Sequence, residues 1–139
     1  MFTPESVRTL ARRAASAVEG QGTGHTVYSL GATKGRYVVG GLATRIYPVG
    51  EAVGAMRKGM RAMADSYAGA TADTMGYWED GGAVYVDLGD TYDGVGMALA
   101  VAQARGEIAI YDTKTGGCIY LACPTPTACE DGCTGHAVA

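Results

Sequence analysis

At 139 residues, 47% of them hydrophobic, the chain holds enough apolar material for one core and too little for two independent domains. Every apolar run is broken by Gly, Arg or Asp before the roughly 20 residues that a membrane-spanning helix needs, and Met1-Phe2-Thr3-Pro4-Glu5 has neither the basic start nor the apolar centre of a signal peptide, so a soluble, cytoplasmic protein is expected. The net charge of −3 hides a polarity: residues 1–61 carry nine Lys or Arg against three acids, and residues 62–139 carry two against eleven.

Thr3-Pro4-Glu5 reads as a helix start, with Thr as N-cap and Pro in the first turn. Val7, Leu10, Ala11, Ala14, Ala17 and Val18 then share one face, Arg8, Arg12 and Arg13 lie off it, and Gly20 is the expected stop. Two β-type runs follow, at 26–30 and 36–42, joined by Gly31-Ala32-Thr33-Lys34-Gly35; they are expected to pair as a first hairpin, which residues 44–47 could extend. A second helix is expected from about Pro48, its apolar residues Val49, Val53, Met56, Met60, Met63 and Tyr67 recurring at alternate steps of four and three. Residues 68–74 are small and polar, as in a linker.

Residues 76–112 organise the remainder. Glu79-Asp80-Gly81-Gly82 is a strong hairpin signal, and Val84, Val86 and Leu88 alternate with Tyr85 and Asp87 as in a half-buried strand. The Ala-rich stretch Val95–Arg105 suits a helix of about three turns ending at Gly106, and Ile108 and Ile110 are expected to point inward from the next strand. A turn through Asp112-Thr113-Lys114-Thr115-Gly116-Gly117 leads to a last strand at 118–121. The fold class is therefore α+β: one domain over residues 1–122, an antiparallel or mixed sheet of about five to six strands and three helices, in the order α-ββ-α-ββ-α-ββ. Val86, Leu88, Leu99, Ile108 and Ile110 are the expected centre.

Residues 123–139 form a Cys-containing tail. Cys118, Cys123, Cys129 and Cys133 with His136 offer the soft ligands zinc prefers, but the spacing has no Cys-x2-Cys knuckle. No cofactor is expected, with zinc on Cys123, Cys129, Cys133 and His136 as the specific alternative and a disulfide among the three tail cysteines as another. Asp87, Asp90 and Asp93 recur every third residue without the alternate spacing and twelfth-position Glu of a calcium loop, so Asp90 or Asp93 is read as a helix cap. Gly20-x-Gly22-x-Gly24 follows a helix and precedes a strand, the reverse of a phosphate-binding loop. Two histidines, His25 and His136, provide no evident nucleophile–base pair, and a non-enzymatic protein is expected.

Nine tyrosines stand against one Phe and one Trp, and no Lys or Arg occurs between Arg61 and Arg105, where seven acids lie. Tyr77, Trp78, Glu79, Asp80, Tyr85, Asp87, Asp90, Tyr92 and Asp93 are the expected binding surface, acidic and aromatic, suited to a basic partner. Direct nucleic-acid contact is not expected: phosphate is repelled there, and the basic first half carries no recognised nucleic-acid motif. The alternatives are a zinc-stabilised regulatory module, or a small-ligand or enzymatic site between the sheet and the second helix.

The run GYWEDGGAVYVDL, the Ala-rich helix and ARGEIAIYD resemble segments of small proteins encoded by actinobacterial phages and mobile elements, over about residues 76–121. Some small proteins of such elements block host defence by binding a nuclease or its guide complex, several through acidic surfaces. The resemblance implies a host protein as partner and carries no catalytic motif; the tail and the first helix lie outside it.

Overall fold

Thr3 accepts a hydrogen bond from the Ser6 amide and starts α1 (Pro4–Ala15), which closes on Ser16 rather than running on to Gly20. The computed structural model describes residues 1–121, in which there follow β1 (Gly24–Tyr28), β2 (Tyr37–Pro48), α2 (Val53–Asp65), a short α3 (Tyr67–Thr71), β3 (Thr74–Asp80), β4 (Ala83–Tyr92), α4 (Val95–Arg105), β5 (Ala109–Asp112) and β6 (Gly117–Tyr120). The α-ββ-α-ββ-α-ββ order holds, with α3 added. Among the described residues no helix is long and apolar enough to cross a membrane.

One six-stranded antiparallel sheet, ordered β1-β3-β4-β2-β5-β6, makes a single α+β domain. The expected hairpin between the first two strands does not form. Instead β1 pairs with β3, and β2 lies on the far side of β4. Thr91 explains the path of the connection: its hydroxyl donates to the Thr33 carbonyl and accepts from the Gly35 amide, holding the linker across the end of β4. The β3–β4 hairpin forms as expected, with Asp80 opposite Ala83 across Gly81-Gly82, both at positive φ, which glycine adopts without a Cβ clash.

Two cores result. Val7, Leu10, Ala11 and Ala14 of α1 and Met56, Met60 and Met63 of α2 pack on one face of β3 and β4, against Met75, Tyr77, Val84, Val86 and Leu88. The interface between the sheet and α2 is thus filled by methionine, aliphatic and tyrosine side chains, with Tyr47 of β2 lying against Gly59 of α2. The seam of α2 is shorter than its sequence spacing suggests. Val53 opens the helix half-exposed, and Tyr67, 90% exposed, belongs to α3 after the Ser66 cap ends the run. The second core lies under α4, where Ala98 and Ala102 meet Tyr37, Val39 and Ile110, with Leu99 partly buried at its edge. Ile108 does not join it: the chain bends there between the Gly106 cap and β5, breaking the alternation, and leaves Ile108 59% exposed. Neither Asp90 nor Asp93 caps α4; its N-cap is Gly94.

Candidate functional site on the outer sheet face

Strand alternation sends one set of β3 and β4 side chains into the first core and the other set outward. Trp78 and Tyr85 are directly opposite each other on the outer set and their rings stack, with centroids 5.1 Å apart. Two residues on, Asp87 stands between Gly76 of β3 and Thr44 of β2, and the Thr44 hydroxyl donates a hydrogen bond to its carboxylate.

A bulge in β2 brings in a second carboxylate. The register between β2 and β4 shifts between Val39 and Ala43, and Gly41 at its centre has φ +88°. A Cβ on Gly41 would overlap the Glu107 carboxylate, so the absence of a side chain is what admits Glu107 here, next to Asp87. Arg105 fastens the arrangement: its guanidinium donates to the Val39 and Gly40 carbonyls, 3.3 and 3.2 Å away, and pairs with Asp90 at 2.7 Å. Arg105 ends α4 and Glu107 follows two residues later, after the Gly106 cap, so helix end, bulge and carboxylate are positioned together.

The outcome is a shallow cleft of about 240 Å³ lined by Thr44, Trp78, Asp80, Tyr85, Asp87, Gly106, Glu107 and Ile108. Burial raises the Asp87 carboxyl above the usual carboxylate range, with the Thr44 hydrogen bond acting against the shift. Burial also raises Glu107, the Asp87 charge raises it further, and Arg105 opposes. Among the described residues no Lys or Arg forms an ion pair with Asp80, Asp87 or Glu107. Two carboxylates that would gain from a cation therefore stand beside a 39% exposed tryptophan stacked on a tyrosine. That chemistry suits a guanidinium or ammonium group, which aromatic faces and carboxylates both attract.

Of the surface expected from sequence, Trp78, Asp80, Tyr85 and Asp87 converge on this cleft. Tyr77 and Glu79 alternate to the opposite side and are buried. Glu79, 1% exposed, accepts the amides of Gly22 at 2.8 Å and Gly82 at 3.1 Å, which hold its carboxyl below the usual range and tie the glycine loop before β1 to the β3–β4 turn. Asp90 is engaged by Arg105, Tyr92 packs at the edge of the second core, and Asp93 is exposed beside the start of α4 without lining the cleft. Thr44, Glu107 and Ile108 were not in the sequence-derived set; nothing in local spacing connects positions 44 and 107 to position 87. Cys118 is an exposed free thiol on β6, whereas the zinc reading on Cys123, Cys129, Cys133 and His136 lies outside the described residues. Among the described residues no group of three or more His, Cys, Asp or Glu is arranged to hold a metal ion. No protein-family model, curated protein or solved structure matches this chain.

Proposed function

We propose that this chain is a non-enzymatic protein-binding protein of a phage or mobile element, and that it captures a basic host protein on its outer sheet face, with an Arg or Lys side chain of the partner seated in the cleft. The observation that carries this reading is the stacked Trp78–Tyr85 pair set beside Asp87 and Glu107, two raised carboxyls without a described ion-pair partner. A cation there gains from the aromatic face, by about 0.5–2 kcal/mol depending on desolvation, and relieves the repulsion between the carboxylates. Exposed Ile46 and Ile108 add apolar contact beside it. The cleft is smaller than the roughly 300–1,000 Å³ usual for small-molecule sites and open to water, which favours a protruding side chain over an enclosed substrate.

The resemblance of residues 76–121 to segments from phages and mobile elements supports a host protein as partner, and an acidic face is suited to occupy a surface that otherwise meets nucleic acid; a defence nuclease or its guide complex has such a surface. The test is affinity capture from host lysate by the wild-type chain and by an Asp80→Lys/Asp87→Asn variant. The expected result is one basic protein retained by wild type and lost by the variant. Capture that survives both substitutions would refute the role of this face.

A further inference from the structure

We infer that the groove between α1 and α2, on the opposite side of the sheet from the acidic cleft, binds the phosphate backbone of nucleic acid. This goes beyond the protein-binding reading and departs from the expectation that the chain makes no direct nucleic-acid contact. The cations arise from the same periodicity that builds the core. Val7 and Met56 point to the sheet, and the next residues along each helix, Arg8 and Arg57, turn about 100° away onto the flanks. Because α1 and α2 lie side by side, those flanks face each other across a groove of about 350 Å³ lined by Pro4, Val7, Arg8, Gly54, Arg57, Lys58 and Arg61.

No acidic residue lines this groove. Arg61 is bridged to Asp65 at 2.7 Å, while Arg8, Arg57 and Lys58 form no ion pair with a described residue. Like charges crowded along two packed helices repel, and an anion between them removes that repulsion. Three of the four are arginines, whose planar forks match phosphate oxygens in pairs. Arg57 and Arg61 are one helical turn apart, about 6 Å along the axis, forming a row rather than a single point. The N-terminal end of α2 opens into the same groove: it has no side-chain cap and no acid in its first turn, and a Cβ on Gly54 would meet nothing within 4 Å. A membrane surface fits less well, because the apolar faces of both helices are spent on the sheet and the one apolar lining side chain besides Pro4, Val7, is buried. The acidic cleft lies on the opposite face of the sheet, with the first core between, and salt at 0.1 M screens charge over roughly 10 Å.

Fluorescence anisotropy with a labelled 20-base-pair duplex tests the inference, using the whole chain at 50 and 200 mM salt, an Arg8→Glu/Arg57→Glu/Lys58→Glu variant, and Lys114→Glu, exposed and outside the groove, as a control of the same charge sign. If the three cations without an ion pair engage phosphates, affinity falls about 40-fold between the two salt concentrations; the triple variant loses at least about tenfold at 50 mM, and the control does not weaken. Circular dichroism establishes that the triple variant is folded, and Arg57→Gln/Lys58→Gln serves if it is not, with a smaller loss in the same direction. No duplex binding by wild type at 50 mM, binding indifferent to these substitutions, or retention on phosphatidylserine vesicles without duplex binding would overturn the inference.

Discussion

Ile108 and Ile110 sit two residues apart and should behave as opposites. Ile110 is 2% exposed in the core under α4; truncation to Ala removes three carbons, worth about 2.4 kcal/mol at roughly 0.8 kcal/mol each. Its neighbours Ala98 and Ala102 are too short to close the space, so a residual cavity adds about 1–2 kcal/mol. The total, about 3–4 kcal/mol, corresponds to a melting temperature lower by roughly 10–15 °C for a domain of this size. Ile108→Ala, at a 59% exposed position, should change stability by less than about 0.5 kcal/mol, yet it removes part of the cleft wall and should weaken partner binding. Urea denaturation of both variants, with partner capture measured beside it, separates the roles. Equal stability losses, or a larger loss for Ile108→Ala, would show that the bend before β5 is misplaced and that the cleft lacks this wall.

Because the folded state holds the Asp87 and Glu107 protons more tightly than the unfolded chain does, their contribution to stability is full at pH 3 and is lost as pH rises through the raised values. Asp87→Asn should therefore raise the melting temperature at pH 7, match wild type at pH 3, and abolish capture of a basic partner; thermal melts at the two pH values check this. Partner affinity should run the other way, strengthening as the pair ionises and falling on acidification from a higher pH than ordinary carboxylates would require, which binding measured from pH 4 to 8 resolves. Glu79→Gln should lower the melting temperature and speed hydrogen exchange at the Gly22 and Gly82 amides, while leaving the cleft intact. The lowered carboxyl of Glu79 gives a stability contribution that is present above the usual carboxylate range and lost as pH falls through the depressed value, so wild type and variant should converge in acid.

Local signals carried much of the fold. The Gly81-Gly82 turn, the span of α4 and the Thr3 cap all act within a few residues, where turn chemistry and helix ends decide conformation. What was not legible depends on distant contacts. The run before β2 has hairpin spacing, but Thr91, 58 residues from Thr33, diverts the linker, and β1 goes to β3. Ile108 has the right periodicity for burial until the bend after Gly106 removes it from the strand. Half of the site was visible because Trp78, Asp80, Tyr85 and Asp87 share one hairpin and one strand phase. The same alternation assigns Tyr77 and Glu79 to the core side, so the nine residues do not form one surface. Glu107 enters only through the β2 bulge, whose Gly40-Gly41 pair hints at irregularity without indicating which side chain fills it.

Trp78 is the only tryptophan in the chain, so its emission reports on the cleft directly. Titration of the whole protein with an arginine-rich peptide, against a glutamate-rich peptide of equal length, should give a saturable change in Trp78 fluorescence for the basic peptide alone, and Asp80→Lys/Asp87→Asn should remove it. A basic peptide that binds while Trp78 emission stays constant, or a change that persists in the variant, would contradict cation recognition by the outer sheet face.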